Sequence, residues 1–281
     1  MINEETQRKL RNMKMEPLVE ALQNQQSDLE SYAPLDFDSR LTLAIDECYS
    51  VKLDDRIRRL THIAKFRYPD ADVHTLIMQG RGFSREEILG YASCGYIERH
   101  KNLIINGFTG VGKTHLACAL GKEACRHLYR VKYFRMPELM EQFNYGTEVG
   151  RSVASIVKKF SGYDLLIIDE WLLEMPTEVE QQYLLEILEN RYDAHSTIFC
   201  SQYKSSEWYP RLGDGVLADA IMDRIIHNAL SVKFYSVGNF SRNNKRGKPP
   251  LEWKCYNFRA QIKQRKGFPH GYYNKNWRNL E

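Results

Sequence analysis

Apolar and polar residues along this chain of 281 residues follow two different patterns in two consecutive regions. Residues 1–72 contain no glycine, and their apolar side chains recur every three or four positions, which is typical of amphipathic helices. One such pattern over residues 10–22 predicts a helix pair or a single bent helix, and a longer one over 38–65 predicts one long helix. We therefore expect an N-terminal helical domain over residues 1–72.

From residue 73 to residue 237, short apolar runs alternate with amphipathic stretches. The apolar runs predict strands at 103–105, 131–134, 165–169, 197–201 and 231–234. The stretches between them predict helices at 114–129, 137–145, 152–160, 178–194 and 218–228. Such alternation predicts a parallel sheet with helices on both faces, so we expect an α/β core domain over residues 73–237.

Composition narrows the class of protein. A hydrophobic content of 43% and a charged content of 27% are ordinary for a soluble globular protein. The sequence has no apolar run long enough to span a membrane, and its first residues do not resemble a secretory signal. Six scattered cysteines without a C-x-x-C pair disfavour a zinc site and a disulfide framework. These features predict a reduced cytoplasmic protein with no membrane partner.

The net charge of +4 is distributed unevenly. Residues 238–281 hold eleven basic and two acidic side chains, a net +9, so residues 1–237 carry −5. Aromatic residues lie between these cations, a combination that suits the phosphates and bases of nucleic acid. A solvated extension that keeps the protein soluble is the alternative. The predicted nucleic-acid contacts in this basic tail are Arg242, Lys245, Arg246 and Lys248.

The most specific motif is Gly-Phe-Thr-Gly-Val-Gly-Lys-Thr at 107–114, a complete G-x-x-x-x-G-K-[ST] phosphate loop. Its glycines let the backbone N–H groups turn toward phosphate oxygens, while Lys113 is predicted to reach the β- and γ-phosphates of ATP. The Thr114 hydroxyl is the predicted Mg²⁺ ligand. A chance glycine-rich turn is the alternative, which the flanking strand and helix disfavour. The predicted ATP-binding residues are Gly107, Phe108, Thr109, Gly110, Val111, Gly112, Lys113, Thr114 and His115.

Two acidic residues follow the buried strand predicted at 165–169 and form the second signature. Ligands of open α/β sheets bind at the carboxyl ends of the strands, where Asp169 and Glu170 emerge. Asp169 is predicted to hold Mg²⁺ opposite Thr114, and Glu170 to orient and deprotonate an attacking water. An Asp-Glu helix N-cap without a catalytic role is the alternative.

Weaker candidates have polar or basic side chains in less specific positions. Ser201 or Gln202, at the end of the next strand, is predicted to contact the attacking water or the γ-phosphate. Arg224 either stabilises charge on the transferred phosphoryl group, in its own subunit or a neighbour, or forms a salt bridge with Asp223. Cations near the end of the 38–65 helix either bind phosphates or compensate the helix dipole. These cations are Arg56, Arg58, Arg59, Lys65 and Arg67.

The motifs, taken in order, resemble the IstB/DnaC-like AAA+ ATPases, and IstB-type proteins above all. The phosphate loop continues as His-Leu-Ala, Tyr-Asp-Leu-Leu-Ile-Ile-Asp-Glu lies at 163–170, and Ser-Thr-Ile-Phe-Cys-Ser-Gln lies at 196–202. Ala-Ile-Met-Asp-Arg-Ile-Ile-His-Asn-Ala follows at 220–229, and Met-Glu-Pro-Leu at 15–18 lies near the N-terminus. The resemblance covers about residues 5–237. The chain departs from the family pattern at Trp-Leu-Leu after Glu170, at Cys-Ser before Gln202, and in its long basic tail.

The resemblance implies a five-stranded P-loop sheet without a helical lid, and ATP-driven assembly of a homo-oligomer on DNA through ATP-bridged interfaces. It implies that Arg224 acts on a neighbour's ATP and that Gln202, rather than Ser201, is the polar sensor. It also implies that the helical N-terminal domain helps to oligomerise and grip DNA, and that duplex DNA is delivered to the transposase of the same element.

Other functional classes remain as alternatives. A DnaC-like replicative helicase loader shares the superfamily, although Cys48 is the only cysteine of the N-terminal region and does not suit the metal module of some loaders. A P-loop kinase acting on a small metabolite is disfavoured because Glu170 beside Asp169 suits water as the acceptor. A passive DNA-binding protein that holds nucleotide without hydrolysis is disfavoured by the complete hydrolytic set.

Overall fold

The computed structural model describes residues 3–76 and 82–234. The chain divides into two units, Met1–Val237 and Gly238–Glu281. The predicted tail contacts at Arg242, Lys245, Arg246 and Lys248 therefore lie outside the described residues, and everything below concerns the first unit.

Helices make up the N-terminal region, as the apolar pattern predicts. Their bounds are α1 Glu4–Asn12, α2 Glu16–Ser27, α3 Leu29–Tyr32 and α4 Phe37–Ala64. Lys14 adopts a left-handed conformation between α1 and α2, so the helix pair forms rather than one bent helix. Asp36 caps α4 by accepting a hydrogen bond from the Ser39 amide at 2.7 Å, and Lys65, also left-handed, ends it.

The predicted five-stranded parallel sheet is confirmed. Its strands are β1 Asn102–Asn106, β2 Val131–Arg135, β3 Leu165–Asp169, β4 Ser196–Ser201 and β5 Ala229–Lys233. They pair in the order β2-β3-β4-β1-β5, with every neighbouring pair parallel. Because β1, β3 and β4 lie inside the sheet, every residue in them is buried, which explains their continuous apolar runs. The last strand begins two residues before its predicted start.

Helices cover both faces of the sheet. Their bounds are α5 Arg85–Ala92, α6 Gly95–Glu98, α7 Lys113–Arg126, α8 Met136–Glu148, α9 Val153–Ser161, α10 Glu178–Arg191, α11 Trp208–Arg211 and α12 Val216–Ile226. The predicted helices are all present. The short helices α5, α6 and α11 were not predicted, since none is long enough for a clear apolar period. The helix predicted to reach residue 194 ends at Arg191, and Asp193 beyond it is left-handed.

Alternate strand residues enter two separate apolar cores. Leu103 and Ile105 of β1 pack into one core with α7, whereas Ile104 between them faces the other core with α8, α9 and α10. The end of α4 joins the first core through Ala64, as does Phe66 just beyond the helix. Among the described residues, no helix combines the length and apolar character that a membrane span requires.

Phe66 fixes the end of α4 to α7. Its ring packs over Gly121 so closely that a Cβ added there would lie 2.5 Å from the Phe66 ring. The same added atom would lie 2.8 Å from the side chain of Ile167 in β3. A glycine in the middle of a helix costs stability, so its presence here is explained by this close approach.

We expect Gly121→Ala to lower the free energy of unfolding by about 1–3 kcal/mol, because the new methyl group overpacks the contact with Phe66. Gly90→Ala is the matched control, since Gly90 also lies within a helix but has open space around its Cβ position. That control should gain roughly 0.5–1 kcal/mol from helix propensity. Urea unfolding followed by circular dichroism measures both, and equal stability of the two variants would contradict the packing argument.

Candidate nucleotide site

The phosphate loop connects the buried strand β1 to helix α7. Gly110 and Gly112 have φ angles of 82° and 104°, a left-handed region that glycine enters without steric cost. Gly107 lies so close to the end of β5 that an added Cβ would be 2.6 Å from the Phe234 Cβ. Because α7 begins at Lys113, its free N–H groups and the positive end of its dipole are directed at the loop. The predicted loop residues therefore form one anion-binding turn.

Lys113 lies folded over this loop. Its Nζ donates hydrogen bonds to the carbonyl oxygens of Gly107 at 2.7 Å and Phe108 at 2.9 Å. Burial lowers the pKa of the Lys113 ammonium, although the nearby Asp169 carboxylate acts in the opposite direction. Lys113 is a partly desolvated cation whose partners are neutral carbonyl groups. Its hydrogen bonds become stronger when charged phosphate oxygens replace these groups.

Asp169 is the most enclosed charge of the site, with 2% of its surface exposed. Its Oδ2 accepts hydrogen bonds from the Thr114 hydroxyl at 2.7 Å and the Tyr133 hydroxyl at 2.8 Å. Its Oδ1 accepts the backbone N–H of Glu170 at 2.9 Å. Burial raises the pKa of the Tyr133 phenol, and the Asp169 carboxylate raises it further.

The donor set fits a magnesium ion. Mg²⁺ prefers carboxylate and hydroxyl oxygens together with phosphate oxygens and water. The two predicted ligands, Thr114 and Asp169, are already in contact at the mouth of the phosphate loop. Tyr133, which sequence analysis missed, is the second hydroxyl on this carboxylate.

Glu170 follows β3 in a left-handed conformation, with φ of 57°. Both of its carboxylate oxygens are held by arginines: Oε1 lies 3.1 Å from Arg67 Nη1, and Oε2 lies 2.9 Å from Arg135 Nε. The bond to Glu170 is the main reason that the pKa of Arg135 is raised. Arg67 was predicted to bind phosphates or to compensate the helix dipole, and the structure brings its guanidinium to the catalytic candidate Glu170.

The register of β2 against β3 is the signal that could have identified Arg135 as a residue of the site. It is the last residue of β2 and lies directly opposite Asp169 in β3, so both emerge at the same edge of the sheet. Sequence analysis gave this arginine no role. Nothing comparable marks Arg67, because it lies 103 residues from Glu170 in a segment without regular structure.

Gln202 contacts the phosphate loop through its side chain, whereas Ser201 contacts it through its backbone, where its carbonyl oxygen accepts a hydrogen bond from the Gly107 N–H at 3.2 Å. The Thr109 hydroxyl donates a hydrogen bond to Gln202 Oε1 at 2.7 Å. The fully buried Ser201 hydroxyl instead donates to the carbonyl oxygen of Trp171 at 2.9 Å. Ser201 therefore fixes the turn after β3, while Gln202 is the polar group directed at the loop. His115, the last predicted ATP residue, has its ring 5.7 Å from that of Tyr68.

Trp171, the first residue at which the chain departs from the family pattern after Glu170, packs into an aromatic cluster. Trp171 is fully buried, with its ring 4.9 Å from Phe199 and 5.9 Å from Trp208. Leu172 is left-handed, and Arg211 donates hydrogen bonds to the carbonyl oxygens of Leu172 and Leu173. Packing changes locally, and both acids stay at the sheet edge.

Arg224 lies at the opposite edge of the sheet. Its backbone oxygen accepts a hydrogen bond from the side chain of Asn102, the first residue of β1, whereas the phosphate loop follows the last residue. The length of β1, roughly 13 Å at about 3.3 Å per residue, separates the two ends. The guanidinium pairs with Glu189 and Asp223, each at 2.6 Å. The structure therefore does not bring Arg224 to the phosphate loop of its own chain.

The remaining predicted cations are exposed on the last turns of α4. They are Arg56, Arg58, Arg59 and Lys65. Arg58 lies 4.0 Å from Asp55, a weak contact. A carbonyl oxygen at the end of the helix, that of Ile63, accepts a hydrogen bond from Lys132 of β2 at 2.9 Å. Lys132 therefore satisfies one carbonyl group at this end of the helix, and phosphate binding by the four exposed cations stays a prediction.

Known proteins resemble this chain in sequence over most of its length. The family model of the IstB-like ATP-binding proteins matches residues 8–247. A putative insertion sequence ATP-binding protein of Sinorhizobium fredii, y4pL, is 36% identical over 208 residues, which cover 74% of this chain and 84% of that protein. The putative ATP-binding protein of insertion sequence IS1162 from Pseudomonas fluorescens is 35% identical over 207 residues, which cover 73% and 89%.

A solved structure has a similar fold. The crystal structure of the DnaC helicase loader aligns with 60% of this chain and 99% of its own length, at a TM-score of 0.53 and 22% identity. At this identity the likeness concerns the fold alone. It agrees with the predicted architecture, a parallel sheet flanked by helices.

We expect Tyr133→Phe to lower the free energy of unfolding by about 1.5–3 kcal/mol, because it removes a hydrogen bond to the buried Asp169 charge. Tyr145→Phe is the control, since Tyr145 is 60% exposed and should lose less than about 0.5 kcal/mol. Chemical denaturation at neutral pH measures both. An equal loss in the two variants would show that the Tyr133 hydroxyl does not support Asp169.

Proposed function

The chain belongs to the family of IstB-like ATP-binding proteins, and from this premise we propose that it hydrolyses Mg–ATP to control its assembly on duplex DNA for a transposase. The observation that carries the proposal is the contact between Thr114 and Asp169, with Glu170 following, at the mouth of the phosphate loop. Relatives with 35–36% identity are named as insertion sequence ATP-binding proteins. These names support transposition as the setting.

The first step of the proposed reaction is binding of the triphosphate. The loop N–H groups and the N-terminus of α7 hold its phosphate oxygens, and Lys113 exchanges its two carbonyl partners for the β- and γ-phosphates. Thr114 and Asp169 would hold Mg²⁺, which neutralises charge on the phosphate oxygens when bound. Gln202, whose amide oxygen accepts a hydrogen bond from Thr109 of the loop, would contact the γ-phosphate or the attacking water.

The second step is attack of water on the γ-phosphorus. Glu170 accepts a proton from the water as the new P–O bond forms, and the bond to the β–γ bridging oxygen breaks, which leaves ADP and phosphate. Each Glu170 oxygen accepts one arginine hydrogen bond and keeps a second lone-pair site, which is where the attacking water would donate. Water rather than a metabolite is favoured as the acceptor because the carboxylate follows the metal ligand directly. A kinase is therefore the weaker hypothesis, and phosphorylated product rather than free phosphate would favour it.

The position of Arg224 supports a multi-subunit enzyme. An arginine about one strand length from its own phosphate loop cannot stabilise charge there, but it can do so on the loop of another copy. The ion pairs with Glu189 and Asp223 keep the guanidinium at this edge, 29% exposed. We infer that ATP bridges adjacent copies, with Arg224 of one facing Lys113 of the next.

Duplex DNA is the proposed partner of the exposed cations at the end of α4 and of the basic tail. Cations held on a rigid helix suit phosphates at fixed spacing, and their contribution decreases with salt. A helicase loader is the second candidate, favoured by the DnaC likeness in fold. The insertion sequence relatives favour transposition, because they share more of the sequence.

We expect Glu170→Gln to reduce the rate of ATP hydrolysis by about 100-fold or more while ATP still binds, since the amide keeps the shape but cannot act as a base. Size measurement of this variant with Mg–ATP tests assembly in three samples: protein alone, with duplex DNA and with single-stranded DNA. Large assemblies only with duplex are expected. Assembly only with single strands would favour a helicase loader, and normal phosphate release would refute the role of Glu170. Lys113→Ala is the control that should not assemble.

We expect Arg224→Ala and Lys113→Ala each to lower the rate of ATP hydrolysis by roughly 1,000-fold or more when assayed separately. A mixture of the two variants should recover part of the activity. In the mixture, one variant supplies an intact phosphate loop and the other supplies Arg224, at about a quarter of the interfaces. Arg99→Ala, mixed with Lys113→Ala in the same way, is the control. It shows whether loss of another exposed arginine at this edge of the sheet has the same effect as loss of Arg224. A mixture as inactive as its components would rule out action across subunits.

A further inference from the structure

Lys132 lies at an edge of the sheet, because β2 is the first strand in the order β2-β3-β4-β1-β5 within the part of the chain that the structure describes. Its ammonium group donates a hydrogen bond to the carbonyl oxygen of Ile63, at the end of α4, at 2.9 Å. The same group lies 5.3 Å from the centre of the Phe134 ring, two residues further along the strand. Both partners are electrically neutral, so they hold the Lys132 charge in place without compensating it.

A second lysine is connected to the first through two phenylalanine rings. The Phe134 ring lies 5.3 Å from the ring of Phe160 in α9, with the two planes at 79°. The ammonium group of Lys159 lies 5.1 Å from the centre of the Phe160 ring. Phe160 is 1% exposed and Phe134 is partly buried, so the rings form a fixed support close to the surface. Lys132 and Lys159 therefore lie on one aromatic pair, although they come from a strand and a helix.

A third cation lies on the opposite face of the sheet. Helix α4 ends at the first apolar core, α9 packs into the second, and β2 lies between them. Lys65 ends α4, two residues after the carbonyl group that Lys132 binds. Burial lowers the pKa of the Lys132 ammonium, and the charges of Lys65 and Lys159 lower it further. The three ammonium groups are therefore close enough to repel one another, and an anion between them would stabilise all three.

Protection of the sheet edge is the structural alternative, since lysines on an edge strand keep other strands from pairing with it. Lys132 alone would serve that purpose. Compensation of the α9 dipole explains a cation in its last turn, and Lys158 already provides one. Neither explanation requires cations from three elements to lie together, an arrangement that costs stability through repulsion until an anion binds.

We propose that Lys65, Lys132 and Lys159 form a phosphate-binding site for duplex DNA at the edge of the sheet. The proposal rests on the proposed function, because it gives the duplex a contact with the sheet domain. Residues 1–237 carry a net charge of −5, so this positive patch differs in sign from its unit as a whole and directs a polyanion to one place. The site continues the exposed cations at the end of α4, of which Lys65 is one. Cations fixed on three rigid elements suit the fixed phosphate spacing of a duplex.

The test is binding of a fluorescein-labelled duplex to the full chain with a non-hydrolysable ATP analogue, followed by anisotropy at several salt concentrations. Lys159→Gln should raise Kd about fivefold to tenfold at roughly 0.1 M salt, the contribution of one phosphate contact. The salt dependence, as the slope of log K against log salt, should become shallower by about 0.9 for each copy bound. The loss should be the same on duplexes of different sequence, because phosphates carry no base information.

Two further variants separate charge from structure. Lys159→Arg keeps the charge and should bind duplex DNA like the unchanged protein. Lys204→Gln is the matched control, since Lys204 is also an exposed lysine but follows β4 in the middle of the sheet. Its Kd and its salt slope should equal those of the unchanged protein. The melting temperature of Lys159→Gln should change little, because the substituted side chain is exposed.

The outcomes distinguish the site from the proposed function. If the unchanged protein binds duplex DNA and Lys159→Gln has the same Kd and salt slope, the site is refuted and the proposed function stands. A higher Kd with an unchanged slope would also overturn the site, because the effect would not come from a lost phosphate contact. Binding of single strands alone, weakened by Lys159→Gln, would overturn the assignment to duplex DNA. If the unchanged protein binds no DNA, the proposed function fails and the site fails with it.

Discussion

The nucleotide site depends on one buried charge, the Asp169 carboxylate at the end of β3. A carboxylate that is 2% exposed is costly to bury unless donors surround it. Its donors come from three elements: Thr114 from α7, Tyr133 from β2 and the backbone N–H that follows β3. A register slip of one residue between β2 and β3 would turn Tyr133 to the other face and leave Asp169 with fewer partners. The hydrogen bonds that stabilise Asp169 therefore form only in this strand register, and the buried charge in turn favours this register over others.

The opposite edge of the sheet is held by a buried cation. Arg191 at the end of α10 donates hydrogen bonds to the carbonyl oxygens of Ser161, Tyr163 and Ser196 and to the Thr197 hydroxyl. Burial lowers the pKa of its guanidinium to about 9, so it remains protonated at neutral pH. These bonds join the ends of α9 and α10 to the start of β4. Arg224 lies at this same edge, so these hydrogen bonds stabilise the part of the sheet from which Arg224 is exposed.

Local sequence patterns predicted the sheet and the anion-binding turn because their determinants are contiguous. The continuous apolar runs of β1, β3 and β4 follow from burial on both faces. The glycines within residues 107–114 themselves permit the turn of the backbone. Short helices such as α11 were missed because four residues do not show a period. The partners of Glu170 were missed for a different reason: Arg67 and Arg135 lie 103 and 35 residues away in the chain, and only folding joins them. Arg224 shows the same limit, since its place at the far edge follows from topology rather than from its helix.

Magnitudes favour easy reversal of the contact between Arg67 and Glu170. Its partners have side chains that are 46% and 22% exposed, and an ion pair of this kind contributes about 0.2–1 kcal/mol. A two-state equilibrium with so small a bias shifts when a ligand binds one state better by a similar amount. Breaking this ion pair alone therefore costs little enough for bound nucleotide to reorient Glu170, whereas Asp169 is buried and held by three donors, so it keeps its position.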